Sequence, residues 1–102
     1  MASVIYEYLY EQTMNVKRLL NNLANKWNAS LTEHNPEHGP HTFIFVKQNF
    51  LMLYYPDTKY ATILITNPDT SDLETIFTQY VKPRRLKKFL SEWLFYAVLG
   101  HL

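Results

Sequence analysis

Three short apolar segments follow one another between residues 42 and 66, and they constrain the fold more than any other part of the chain. They read TFIFVK, FLMLYY and YATILIT, and polar residues bound each of them. β-Branched and aromatic residues in runs of this length are typical of strands. The links QN and PDTK are short enough for tight turns. Strands joined by short links pair in antiparallel order, so we predict a three-stranded antiparallel meander.

Helical patterns precede and follow this meander. Apolar residues recur at spacings of three and four over residues 4–31, which predicts an N-terminal helix, although the opening VIYEYLY would also suit a strand. Ser71 followed by Glu74 is typical of a capping box and predicts a second helix. Pro83 is expected to end or kink that helix, because proline disfavours helical geometry in the preceding residue. A last helix is predicted over about residues 84–99.

These elements together predict an α+β fold in the order α-β-β-β-α-α. A three-stranded antiparallel sheet would pack against the N-terminal helix and two C-terminal helices. The length of 102 residues predicts a single domain that spans residues 1–102. A hydrophobic fraction of 47% is ordinary for a globular chain with a buried core.

Composition excludes several classes of function. The chain has no cysteine, which excludes disulfides, thiolate catalysis and cysteine-ligated zinc. The longest apolar run, WLFYAVL, has seven residues, whereas a membrane-spanning helix needs roughly 20. The N-terminus also lacks the features of a signal peptide. We therefore expect a cytoplasmic protein without a membrane partner.

The stretch VKPRRLKKFL carries the clearest functional signal. It holds Lys82, Arg84, Arg85, Lys87 and Lys88, while the formal net charge of the whole chain is only +1. Any attraction for a polyanion must therefore be local, and each cation that contacts a phosphate would add salt dependence to the affinity. We predict weak DNA or RNA backbone binding without sequence preference, because the chain beyond this run is too apolar to enter a groove.

A solvated helix start is the alternative interpretation of the basic run. Cations at this position would destabilise the helix by a few tenths of a kcal/mol each, because the helix dipole is positive at the N-terminus. If the two C-terminal helices were continuous across Pro83, the run would lie mid-helix and this cost would vanish.

The last predicted helix is apolar on more than one face. Such a helix is either central in a core or shared with another chain. We predict a homodimer with a twofold interface formed by Phe89, Trp93, Tyr96 and Leu99. The alternative is a protein-interaction or structural module that uses this helix and has no role with nucleic acid.

Catalytic and metal-binding patterns are weak. Residues 33–41 contain His34, His38, His41, Glu33 and Glu37, and imidazole with carboxylate suits divalent ions. Two prolines and a glycine in this segment exclude a helix that would align these side chains. Motifs for a nucleophile, a phosphate loop or a dinucleotide are absent from the sequence. We expect no catalytic residues, no metal and no cofactor, with a metal-dependent nuclease as the minor alternative.

The whole chain resembles the small uncharacterised proteins encoded by filamentous viruses of heat-loving archaea. The features that carry the resemblance are the lack of cysteine, the tyrosine-rich stretches YEYLY and MLYYPDTKY, and the short α+β order. The resemblance implies a viral protein of the host cytoplasm that acts on nucleic acid or on other viral proteins. Eight asparagines and 19% charged residues depart from the composition usual in very hot environments.

Overall fold

Two helices flank five consecutive strands in the computed structural model, which describes the backbone of residues 2–98 and the side chains of residues 13–97. The strands form one antiparallel sheet in the order β1-β2-β3-β4-β5. The elements are α1 (Ala2–Trp27), β1 (Ser30–His34), β2 (Thr42–Lys47), β3 (Phe50–Tyr55), β4 (Tyr60–Thr66), β5 (Leu73–Tyr80) and α2 (Pro83–Val98).

The central meander is confirmed, but the predicted size of the sheet is wrong. Strands β2, β3 and β4 have the bounds of the three apolar segments, and they pair in antiparallel order. The sheet has five strands and not three, and one C-terminal helix replaces the predicted pair. Both additional strands lie at the edges of the sheet. Strand β5 lies in a segment that was predicted as a helix, and β1 begins in the last two residues of the predicted N-terminal helix.

The first helix ends four residues before its predicted end. Asn28 adopts a left-handed conformation with a φ of 54°, and the N–H of Ala29 donates to the carbonyl of Ala24 at 2.8 Å. A left-handed residue followed by such a bond ends a helix in the Schellman manner. Leu31 then lies in β1 opposite Phe45 rather than on the helix. Its apolar side chain had continued the helical spacing in the sequence.

The predicted helix that starts at Ser71 is a strand, β5. Ser71 has a φ of 64°, whereas an N-cap residue needs extended backbone. The carboxylate of Glu74 accepts a hydrogen bond from Nδ2 of Asn67 at 2.9 Å, which replaces the expected capping contact. The segment is rich in β-branched and aromatic residues, which favour the extended chain when a neighbouring strand is present.

A single C-terminal helix therefore follows the sheet. Pro83 is its first residue, a position where proline has no N–H to lose, and so it does not join two helices. The basic run lies at the start of α2 and not in the middle of a longer helix. Leu99, at the predicted end of this helix, lies outside the described residues.

The core lies on one face of the sheet, beneath both helices. Helix α2 contributes a stripe spaced by four residues, Leu86, Leu90 and Leu94, each with no exposed area. We call the side of the sheet that lies beneath the two helices the covered face. The buried sheet and α1 residues that meet this stripe are Phe43, Phe45, Phe50, Met52, Tyr54, Ala61, Ile63, Val16, Leu20, Leu23 and Ala24.

The opposite side of the sheet, which we call the open face, is apolar as well. Alternate residues of the central strands point to it and are half-buried by one another. Within residues 13–97, the side chains of both helices that join the core do so on the covered face. The half-buried apolar residues of the open face in the three central strands are Ile44, Val46, Leu51, Leu53, Tyr55 and Leu64.

One buried hydrogen bond connects the middle of the sheet to the start of α2. The hydroxyl of Tyr54 donates to the carbonyl of Val81 at 2.7 Å. Burial raises the pKa of Tyr54, and the nearby Tyr80 raises it further. Because the phenol stays protonated and donates, this bond holds Val81, the residue between β5 and the basic run.

We expect Tyr54→Phe to lower the free energy of unfolding by about 1 kcal/mol, because the Val81 carbonyl loses its phenol donor in a dry environment. Urea denaturation followed by circular dichroism measures this change. Tyr55→Phe is the matched control, since Tyr55 lies on the open face. Equal midpoints for Tyr54→Phe and the unmodified protein would contradict the assigned role of the bond.

Candidate nucleic-acid interface

A groove with an aromatic wall runs between β5 and α2. Phe77 projects from β5 towards the helix, and its ring centroid lies 5.3 Å from that of Trp93 and 6.3 Å from that of Phe89. Phe89 and Trp93 sit one helical turn apart, so one strand residue contacts two turns of α2. The groove is open to solvent and has a volume of about 720 Å³.

Four of the five predicted cations line this groove. Lys82, Arg84, Arg85 and Lys88 are exposed along it, and Glu92 is the acid among its lining residues. None of these four cations forms an ion pair with any side chain in the described range 13–97. Their charge is therefore available to an external anion. We call this surface the basic groove.

A second, adjoining groove adds a cation that the sequence did not single out. Lys59 lines it together with Lys82 and Arg84. Lys59 ends the turn between β3 and β4 with a φ of 64°, and its carbonyl accepts the N–H of Val81 at 2.7 Å. This bond brings a residue more than 20 positions away in the chain to the start of the basic run. Only the strand pairing reveals it.

The remaining predicted site residues are placed differently. Lys87 is exposed but lines neither groove. Phe89 and Trp93 are half-buried against Phe77, and Tyr96 lines the basic groove with 52% of its surface exposed. Leu99 lies outside the described residues. Phe95, which the sequence prediction omitted, is 56% exposed, a position that follows from its phase on a helix whose buried stripe is Leu86, Leu90 and Leu94.

The position of the run at a helix start raises the positive potential. Helix α2 begins at Pro83, so Arg84 and Arg85 lie in its first turn, where the helix dipole is positive. The dipole and the cations repel each other at a cost of a few tenths of a kcal/mol per charge. An anion that binds here would remove this repulsion as well as form direct contacts.

Residues 33–41, the segment with three histidines, are arranged around an ion pair between Glu33 and Lys17. Oε1 of Glu33 accepts a hydrogen bond from Nζ of Lys17 at 2.9 Å. Oε2 of Glu33 lies 2.7 Å from Nε2 of His41. The hydrogen bond from Lys17 is the main reason why the pKa of Glu33 lies below its usual value; partial burial opposes it and His41 adds to it. His34 and His38 are exposed. Among the described residues, no three His, Asp or Glu side chains are grouped to hold a metal ion.

Comparisons with protein-family models, with curated proteins and with solved structures find no match for this chain. Within the described part of the chain, neither helix is long and apolar enough to cross a membrane.

We expect Phe77→Ala to shift the fluorescence emission of Trp93 to longer wavelength and to destabilise the fold by about 1–3 kcal/mol, because an exposed edge strand loses its aromatic contacts with α2. Trp27→Phe in the background leaves Trp93 as the reporter. Phe95→Ala is the control, because this ring projects from α2 into solvent and should change stability by less than about 0.5 kcal/mol. An unchanged spectrum in Phe77→Ala would contradict the groove geometry.

Proposed function

We propose that this chain is a small non-enzymatic protein that binds the backbone of nucleic acid weakly and without sequence preference. The observation that carries the proposal is the basic groove, where Lys82, Arg84, Arg85 and Lys88 gather without an ion pair to any side chain of residues 13–97. Phosphate contacts supply most of the affinity of nonspecific complexes, and they need cations at a surface rather than a shaped pocket.

The burial of much of α2 favours contact with the nucleic-acid backbone over reading of the bases. Leu86, Leu90 and Leu94 are buried against the sheet. Phe89 and Trp93 contact Phe77 of β5. Little of the helix remains to enter a major groove, which is where bases present a distinct pattern of donors and acceptors. The cations lie instead on one rim, where long flexible side chains can follow phosphates of varied geometry.

The biological setting stays a prediction. The resemblance to proteins of filamentous archaeal viruses would place the chain in the host cytoplasm, where viral and host nucleic acids are both present. Weak binding without sequence preference suits an accessory protein that acts on whichever strand is abundant.

Fluorescence anisotropy with labelled 20-mer single-stranded DNA, duplex DNA and RNA tests this function. We expect dissociation constants of about 10⁻⁶ to 10⁻⁴ M, rising steeply with salt. In Arg84→Glu/Lys88→Glu the affinity for duplex DNA should fall at least tenfold. The slope of log affinity against log salt should become shallower by about 1.8, because two phosphate contacts are lost.

Arg18→Glu/Lys26→Glu is the matched control. It makes the same change in net charge at exposed positions of α1 that line neither groove, so it should keep most of the affinity. Equal losses in the two double variants would show a response to net charge only and would contradict the basic groove as the site. Absence of binding by the unmodified chain at low salt would refute the function.

Oligonucleotides incubated with magnesium or manganese should remain intact, and cleavage would favour the nuclease alternative.

A protein-interaction module that uses α2 is the second candidate. The exposed rings of Phe95 and Tyr96 on the last turns of the helix favour it. If the unmodified chain binds no oligonucleotide at low salt, these rings remain as the functional surface of α2.

A further inference from the structure

Strand β5 is an unprotected edge of the sheet. All eight of its residues are exposed, and β4 is its one neighbour in the strand order. Its sequence, LETIFTQY, contains no proline and one charge. The opposite edge, β1, is shorter and carries Glu33 and His34. Long, weakly charged edge strands offer unpaired backbone groups to another strand, and proteins usually block them.

A β-bulge in β5 changes which residues share a face. Phe77 pairs with Ile63 and Thr75 pairs with Leu64, so Ile76 is the extra residue. Phe77 contacts α2, and Ile76 lines a pocket with Ala97 of α2, which places both on the covered face. The order of faces along β5 then reads the same in both directions: open, covered, open, covered, covered, open, covered, open.

We propose that β5 pairs in antiparallel order with β5 of a second copy of this chain. The symmetric register joins like with like, apolar opposite apolar and polar opposite polar, and each pair lies on one face of the combined sheet. Without the bulge, opposed residues would point to opposite faces in this register. The pairs are Leu73–Tyr80, Glu74–Gln79, Thr75–Thr78 and Ile76–Phe77, each formed twice.

The phase of the backbone hydrogen bonds agrees with this register. The N–H of Val81 donates to Lys59, and the carbonyl of Asp72 accepts from Asn67. Bonded and non-bonded positions alternate along an antiparallel strand, so the backbone groups of Thr78 and Tyr80 point away from β4 at one end. At the other end of the strand, the backbone groups of Leu73 and Thr75 point away from β4. The proposed register puts Leu73 opposite Tyr80 and Thr75 opposite Thr78, which are all outward-facing positions.

Charge complementarity extends the match beyond the strand. The residues before β5 are acidic, with Asp69 and Asp72, and those after it are basic, with Lys82 and Arg84. Neither aspartate forms an ion pair with a described side chain, and the basic residues are equally unpaired. Antiparallel pairing brings the acidic end of one copy to the basic end of the other, at both ends of the interface.

Pairing of this kind closes after two copies. A twofold interface uses the same edge of each chain, and the edges that remain in the ten-stranded sheet are the two polar β1 strands. The open faces of the copies become continuous. The sequence had placed the dimer contact on α2, whose Phe89 and Trp93 are already partly covered by Phe77 of the same chain.

A proline substitution tests the strand pairing by sedimentation equilibrium at low salt. We expect the unmodified chain to dimerise at micromolar concentrations and Thr78→Pro to dimerise at least tenfold more weakly. In the alternation of backbone hydrogen bonds along β5, the N–H of Thr78 points away from β4. Proline at this position therefore removes a hydrogen bond to the second copy and none to β4. Thr78→Val keeps the N–H and should keep the dimer. Circular dichroism checks that each variant is folded.

A charge exchange tests the register and does not depend on the proline variant folding. Asp72→Lys and Lys82→Asp should each weaken the homodimer, because each places like charges together at both ends. An equimolar mixture should form a heterodimer, because opposite charges then meet at both ends.

If the unmodified chain stays monomeric at a protein concentration of several hundred micromolar, the proposal is overturned. The proposal would also be wrong if neither Thr78→Pro nor the charge variants weakened the dimer, or if mixing the two charge variants did not restore dimerisation. In either case the contact would lie elsewhere on the chain. The inference does not rest on nucleic-acid binding: anisotropy tests one property and sedimentation without oligonucleotide tests the other.

Discussion

The apolar layer on the covered face of the three central strands is the interaction on which the rest of the structure depends. Cross-strand neighbours such as Phe43 with Tyr54, and Met52 with Ile63, are fully buried there. Both helices lie on this layer, and α2 reaches it through leucines spaced by four residues. Burial at about 25 cal/mol per Å² of apolar surface makes this layer the main stabilising term. The edge strands add little to it.

Two hydrogen bonds made by one residue connect this layer to the basic groove. Val81 accepts from the Tyr54 hydroxyl and donates to the Lys59 carbonyl, and its side chain is buried. The chain is therefore held where β5 gives way to α2. Lys82 and Arg84 follow at once and lie at the boundary of sheet and helix, where two grooves meet. A buried tyrosine in the middle of the sheet thus positions cations at its border.

The part of the fold that depends on local pattern was predictable. Strands β2, β3 and β4 have short links and apolar runs, so neighbouring residues determine them. Strand β5 was missed for a specific reason: Leu73, Ile76, Phe77 and Tyr80 have the spacing of a helix face. In the strand the same four residues divide between the two faces: the bulge puts Ile76 and Phe77 together on the covered face, and Leu73 and Tyr80 lie on the open face. Only the partner strand β4 distinguishes the two structures, and pairing at a distance is not visible in the sequence.

The candidate site was predictable in its residues but not in its arrangement. The five cations stand together in the sequence, and four of them line one groove. The wall of that groove is Phe77, which the predicted helix would have placed elsewhere, and Lys59 arrives from a distant turn. Because β5 is a strand, the predicted pair of C-terminal helices is replaced by a groove between a strand and a single helix.

The two proposals share residues, and this has a thermodynamic consequence. Lys82 and Arg84 would face phosphates in the basic groove, and the same side chains would face the acidic turn of a second copy. A cation that lies between two carboxylates has less attraction left for phosphate. If a nucleic acid binds the monomer more tightly than the dimer, it must favour dissociation, and pairing must weaken nucleic-acid binding by the same factor, since linkage is reciprocal. Arg85 and Lys88 lie further along α2, away from the strand pairing, so they remain available in either state. The acidic turn before β5 would then limit the affinity of the basic groove in proportion to the concentration of the protein.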